Sequence, residues 1–232
     1  MDSAFTKFIY SQTELTYLKD TDSLEIQRKN VEELILRAHL NSCFGVCVRE
    51  AWVSFAAELI KERQSALKVV SVAGFPNGFA FTTLEKMKLV EVAFMHGAFD
   101  VDIVINMHWL KEKRYSLIKE EWKQIHQLVG EKTLKIIFEN SLLTLDEKKY
   151  LYPLAAEVFL DNPRGYRFFK TNTGYNGVAQ TQDVELMSQF TQKIIGIKPA
   201  GGIKNIEMAK SFYDIIQKND VPLFRIGSSS IV

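Results

Sequence analysis

Short apolar, β-branched runs alternate with longer amphipathic segments from one end of this chain to the other. The runs are FGVCV (44–48), KVVSVAGF (68–75), VDIVIN (101–106), LKIIFE (134–139), RFFKTN (167–172), IIGIKP (194–199) and LFRIG (223–227). They are nearly continuous in apolar character rather than alternating, the signature of parallel strands buried on both faces. The segment 14–18, within TELTYL, is a candidate eighth strand. Between the runs lie helix signals. Asp22 with Glu25, Thr82 with Glu85, and Thr144 with Glu147 have capping-box spacing. Gly97 and Gly130 fall where helices terminate, and Asn162-Pro163-Arg164-Gly165 marks a turn after a helix over 145–160. Strand and helix repeating in this way, with no Pro- or Ser-rich linker, predict a single α/β domain over 1–232. Eight strands would close a barrel; seven would leave an open, doubly wound sheet.

Composition narrows the function classes. The 232 residues are 47% hydrophobic and 25% charged, and 29 basic against 28 acidic residues give a net charge of +1. That balance supplies no field for nucleic acid or an acidic membrane, and neither partner is expected. No apolar stretch reaches the roughly 20 residues of a membrane span. Cys43 and Cys47 lack a second ligand pair, which fits a reduced, cytoplasmic setting without a disulfide framework or zinc site. His39, His96, His108 and His126 have no metal-ligand spacing.

In parallel barrels, chemistry gathers where strands end. Those ends carry Cys47, Asp102, Asn106, Glu139, Asn140, Lys170 and Lys198. Lys170 and Lys198 close consecutive strands, which lie about 4.8 Å apart. Like charge and desolvation there lower a lysine pKa, which provides the free amine for a Schiff base. Asp102 is a carboxylate that can move protons and balance charge, or simply a turn cap or salt-bridge partner. Cys47 fits a small core residue better than a nucleophile. Gly174, Gly201-Gly202 and Gly227-Ser228-Ser229-Ser230 follow the last three strands and suit an anion such as phosphate.

VAGFPNG (72–78), GAFDVDIVIN (97–106), LKIIFENSLLT (134–144), FFKTNTGY (168–175), GIKPAGGI (196–203) and RIGSSSIV (225–232) together resemble 2-deoxyribose-5-phosphate aldolases, in order and spacing. The resemblance implies a TIM (β/α)8 barrel whose last helix is missing or truncated at the C-terminus. It places the Schiff-base lysine on Lys170, the second lysine on Lys198 and the relay aspartate on Asp102. Substrate and phosphate contacts fall on Thr16, Cys47, Thr171, Gly174, Gly201, Gly202, Ser229 and Ser230. The implied reaction is reversible cleavage of 2-deoxy-D-ribose 5-phosphate to D-glyceraldehyde 3-phosphate and acetaldehyde, with no metal or organic cofactor and, by family analogy, a homodimer. The alternatives are a Schiff-base aldolase for another phosphorylated sugar and a catalytically silent sugar-phosphate-binding barrel. The chain departs from the family's usual residues at Glu14, Arg49-Glu50, Asn172 and Tyr175, and Ser229 and Ser230 are expected on a frayed end.

Overall fold

The computed structural model describes residues 3–232. Its strands are β1 (Thr13–Tyr17), β2 (Gly45–Val48), β3 (Lys68–Ala73), β4 (Asp100–Val104), β5 (Thr133–Ile137), β6 (Arg167–Lys170), β7 (Ile195–Lys198) and β8 (Ile226–Ser228). All pair in parallel in one sheet, in the order β7-β6-β5-β4-β3-β2-β1-β8. The two ends of that order meet. Ile197 bridges Phe224 and Ala200 bridges Gly227, with Gly227 N–H donating to the Pro199 carbonyl at 2.9 Å. The segment 14–18 therefore supplies the eighth strand, and the sheet is a closed barrel rather than an open one.

The strands are shorter than the apolar runs at their carboxyl ends. The run over 134–139 leaves the sheet after Ile137, and Glu139 takes a left-handed conformation with φ of 56°. The surplus residues form the loops that build the site.

Helices α1 (Ser3–Ser11), α2 (Leu24–Leu40), α3 (Val53–Glu62), α4 (Thr83–Met95), α5 (Met107–Lys111), α6 (Tyr115–Val129), α7 (Leu145–Asp161), α8 (Thr181–Ser188) and α9 (Ile206–Lys218) surround or precede the strands. Thr82 with Glu85 and Thr144 with Glu147 form reciprocal capping boxes on α4 and α7. The cap of α2 is Ser23, whose hydroxyl accepts from Ile26 N–H, and not Asp22. Asp22 instead accepts from the Tyr17 hydroxyl at 2.8 Å. Apolar faces of these helices pack on the outward side chains of the sheet, including Leu15, Val46, Val101, Ile136, Phe169 and Ile197.

No helix follows β8 among the described residues. The segment after it is nonetheless held, contrary to the expectation of fraying. The Ser228 hydroxyl accepts from the N–H groups of Ser230 (3.2 Å) and Ile231 (3.1 Å), and Arg37 of α2 donates to the Val232 carbonyl at 2.8 Å. Among the described residues, no helix is long and apolar enough to cross a membrane.

Candidate active site

Alternation along each strand sends every second side chain into the barrel lumen. Part of the lumen is apolar: Leu18, Cys47, Val70, Val72, Phe75, Val104 and Ile137 form a cluster of their own, separate from the outer core. The remainder of the lumen holds six buried charged side chains, Glu14, Asp100, Asp102, Lys135, Lys170 and Lys198.

Asp102 is their centre. One of its carboxylate oxygens accepts from Lys170 Nζ and from Lys198 Nζ, each at 2.7 Å. The other lies 3.0 Å from Lys135 Nζ. Lys135 also donates to Asp100 at 2.7 Å and lies 3.2 Å from one oxygen of Glu14, whose other oxygen pairs with Lys198. Register explains the convergence: Lys170 stands opposite Lys198, and Asp102 opposite Lys135. Gly227 leaves space for Lys198, because a Cβ there would meet the Lys198 stem at 3.2 Å.

Three carboxylates face three ammonium groups, so no group's ionisation is set by burial alone. Burial pushes the Asp102 carboxyl up, but Lys135, Lys170 and Lys198 together hold it well below the usual carboxylate range. Burial likewise raises Glu14, and Lys135 and Lys198 bring it below its ordinary value. Lys135 and Lys198 are pushed down by burial and carried above the usual lysine value by their carboxylates. Lys170 goes the other way. Burial lowers it, Asp102 opposes, and the neighbouring Lys198 charge lowers it further, so its net shift is downward. The expectation that crowding lowers a lysine therefore holds for Lys170 and fails for Lys198, which faces two carboxylates instead of one.

Above this cluster a cavity of about 630 Å³ opens at the carboxyl ends of the strands. Of the six charged residues, Lys170 alone lines it, together with Thr16 and the loops carrying Gly174, Gly201, Gly202, Ser229 and Ser230. Gly174 and Gly201 have φ of 89° and 99°. A Cβ on Gly201 would lie 2.9 Å from the Gly177 carbonyl, so the β6 and β7 loops can meet only because glycine stands there. A nucleophilic amine at the floor, a sink of fixed charge beneath it and a glycine- and serine-rich wall suit imine chemistry on an anionic aldehyde.

The chain is 36% identical to deoxyribose-phosphate aldolase of Mycoplasmopsis synoviae over 86% of its own length and 85% of that protein. It is 35% identical to deoxyribose-phosphate aldolase of Bdellovibrio bacteriovorus, over 89% and 87% of the two chains. The chain belongs to the deoxyribose-phosphate aldolase family. Among solved structures, an aldolase designated QR15 covers 96% of this chain and 91% of its own, with a TM-score of 0.81 and 27% identity. The deoxyribose phosphate aldolase of Aeropyrum pernix shares the fold, at a TM-score of 0.77 over 97% of this chain and 88% of its own, with 20% identity. No protein-family model matches the chain.

Of the residues the aldolase resemblance singles out, four do not line the cavity: Asp102 and Lys198 lie beneath Lys170, and Thr171 and Cys47 are engaged elsewhere. The Thr171 hydroxyl donates to the Ala200 carbonyl and accepts from Ala200 N–H, both at 2.9 Å, stapling the ends of β6 and β7. Cys47 is buried in the apolar half of the lumen, and burial pushes its thiol up to about 11, which leaves it protonated at neutral pH. Glu139 accepts from Thr173 N–H at 3.2 Å, and the Asn172 side-chain carbonyl accepts from Ser141 N–H at 3.1 Å. These contacts fix the loop that leaves the Lys170 strand.

The sequence reading missed Asp100 and Lys135 as members of the site, and noted Glu14 only as a departure from the family. Their signal was present. Each is a charged residue within a strand buried on both faces, where a charge needs an opposite charge across the lumen.

Proposed function

We propose that the chain cleaves 2-deoxy-D-ribose 5-phosphate reversibly to D-glyceraldehyde 3-phosphate and acetaldehyde, with Lys170 as the Schiff-base lysine. The observation that carries this reading is the position of Lys170, the one lysine of the cluster that lines the cavity, 2.7 Å from Asp102 and lowered by burial. A lysine attacks a carbonyl as the free amine, so a lowered pKa enlarges its reactive fraction near neutral pH.

In this mechanism Lys170 Nζ adds to C1 of the open-chain sugar, and loss of water gives an iminium ion. The C3 hydroxyl gives up its proton, the C2–C3 bond breaks, and its electron pair flows to the iminium nitrogen as an enamine. Glyceraldehyde 3-phosphate leaves. Protonation of the enamine at C2 and hydrolysis then return acetaldehyde and the free amine.

With Lys170 neutral, three carboxylates face two ammonium groups, Lys135 and Lys198. The spare negative charge lies 2.7 Å from where the iminium cation forms. Asp102 is thus held as a carboxylate that stabilises the iminium and relays protons through water, while burial and the Lys198 charge lower the proton affinity of the Lys170 amine. Gly174, Gly201, Gly202, Ser229 and Ser230 would receive the phosphate and set the distance from it to Lys170. Thr16 would contact the sugar at the cavity wall, with Cys47 and Thr171 supporting the site from behind. Association of the chain with itself and a cytoplasmic setting, consistent with the buried free thiols of Cys43 and Cys47, belong to the same reading.

The test is acetaldehyde release from 2-deoxyribose 5-phosphate by the wild type and by Lys170→Ala. The wild type is expected to turn over and the variant to fall to background. Equal turnover would overturn the mechanism, and binding of the sugar phosphate without cleavage by the wild type would favour a silent binding barrel.

A further inference from the structure

The carboxyl ends of β5 and β6 do not advance together. Phe138 N–H donates to the Lys170 carbonyl at 3.1 Å, and Asn140 N–H donates to the Thr171 carbonyl at 3.0 Å. Two residues pass on the β5 side for one on the β6 side, as in a β-bulge, a device that re-aims a side chain beside an active site. The extra residue is Glu139, whose backbone is left-handed, with φ of 56° and ψ of 55°. A glutamate is strained there and persists only where its surroundings hold it. Glu139 is 2% exposed, and among the described residues it forms no salt bridge. Its carboxylate accepts from Thr173 N–H, at 3.2 Å to one oxygen and 3.4 Å to the other, and from the Ser141 hydroxyl at 3.4 Å.

The bond to Thr173 orders the loop that leaves β6. Tyr175 N–H turns back to the Thr173 hydroxyl at 3.1 Å, and the Tyr175 hydroxyl donates to the Leu18 carbonyl at 3.2 Å. The N–H groups on both sides of Gly174 are thus spent. Gly174 N–H, between them, has no protein partner among the described residues, and Gly174 lines the cavity. The N–H groups of Gly202 and Ser229, on the same cavity, are likewise without a protein partner among the described residues. Free backbone donors from three loops on one cavity suit an anion.

We propose that Glu139 is a positioning residue for the substrate's phosphate: by holding Thr173 N–H, it presents the free Gly174 N–H to the cavity that receives the anion. This rests on the aldolase reading given above. Glu139 itself does not line the cavity. It acts through the loop and touches neither the phosphate nor the bond that breaks. The left-handed turn is what aims its side chain at Thr173 instead of along the strand.

The experiment compares the wild type with Glu139→Gln, Glu139→Ala and Glu139→Gly in two measurements. One is KM for cleavage of 2-deoxyribose 5-phosphate. The other is the rate of borohydride trapping of acetaldehyde on Lys170, a reaction that involves no phosphate. Glu139→Ala should raise KM about tenfold, the scale of one lost hydrogen bond, with the trapping rate unchanged. Glu139→Gln keeps an oxygen for Thr173 N–H and should stay within about threefold of the wild-type KM. Glycine adopts the left-handed conformation without strain. Glu139→Gly should therefore match Glu139→Ala in KM, and it decides the matter if Glu139→Ala does not fold. An unchanged KM in Glu139→Gly overturns the positioning role alone. So does a trapping rate that falls as KM rises, which is what a merely structural residue would show. A wild type that fails either measurement overturns the aldolase reading, and this role with it.

Discussion

Two buried sets of charge in this barrel respond to burial in opposite ways. Outside the lumen, Lys86 of α4 and Glu121 of α6 form an isolated pair at 2.7 Å, with neither side chain exposed. Lys86 also donates to the Val104 carbonyl at 2.9 Å, and Glu121 accepts from Thr83 at 3.2 Å. Burial lowers Lys86 and raises Glu121, and their mutual attraction does not recover either shift. Inside the lumen, Glu14 and Asp102 are lowered while Lys135 and Lys198 are raised, although burial there is as complete. The difference lies in the number of opposite charges each group faces. One partner does not offset desolvation of a buried ion, and two or three do. Lys170 is the informative exception, since its single carboxylate is shared with Lys135 and Lys198. The lumen thus behaves as a fixed charge template with one member left adjustable.

The largest effect should come from removing the shared carboxylate. Asp102→Asn leaves three lysines facing two carboxylates and removes the charge beneath the iminium. Cleavage of 2-deoxyribose 5-phosphate should fall about 10²- to 10⁴-fold, the range for loss of an acid–base group. Turnover within a few-fold of wild type would mean that the lumen charges do not act on Lys170.

The isolated pair offers a contrast in stability rather than rate. Lys86→Met strands Glu121 and should cost about 3–5 kcal/mol in urea unfolding. The double variant Lys86→Met/Glu121→Leu should regain most of that, because a well-packed apolar pair avoids the desolvation of both ions. A double variant as unstable as the single one would show that the pair is worth more than the pKa shifts imply.

A smaller effect is expected at the opposite end of the barrel, where His126 accepts from Arg167 Nε at 2.8 Å through Nδ1. That bond assigns the hydrogen to Nε2, which donates to the Asn162 carbonyl at 2.9 Å. Burial and the Arg167 charge hold His126 below its ordinary value of 6.5. The unfolded chain then binds the proton first. Stability is fully present above pH 6.5 and declines as pH falls from there toward the lower folded value. Urea midpoints of the wild type and His126→Asn, compared across that window, should differ in slope; parallel curves would remove His126 from the account.

The apolar runs and capping boxes made seven strands and the starts of α4 and α7 legible in the sequence, because burial on both faces and local capping are local properties; the eighth strand was only a candidate until the pairing of β1 with β2 and β8. The two lysines were legible as polar ends of apolar strands; Asp102, expected at such an end, lies in the middle of β4. Asp100 and Lys135 were visible only as charges within buried strands, because their partners depend on register: only the pairing of Asp102 opposite Lys135 turns separate charges into a network. Thr171 read as a ligand and is spent on Ala200, since a hydroxyl's partner depends on the neighbouring strand. The bond from Thr173 N–H to Glu139 was invisible for the same reason, the two lying on different loops.

Borohydride trapping of acetaldehyde followed by peptide mapping tests the charge template most directly, because three buried lysines compete within one lumen. The template predicts reduction on Lys170, beginning below the ordinary lysine value of 10.5 as pH is raised, with Lys135 and Lys198 unlabelled. Label on Lys198 or Lys135 with Lys170 untouched would contradict it.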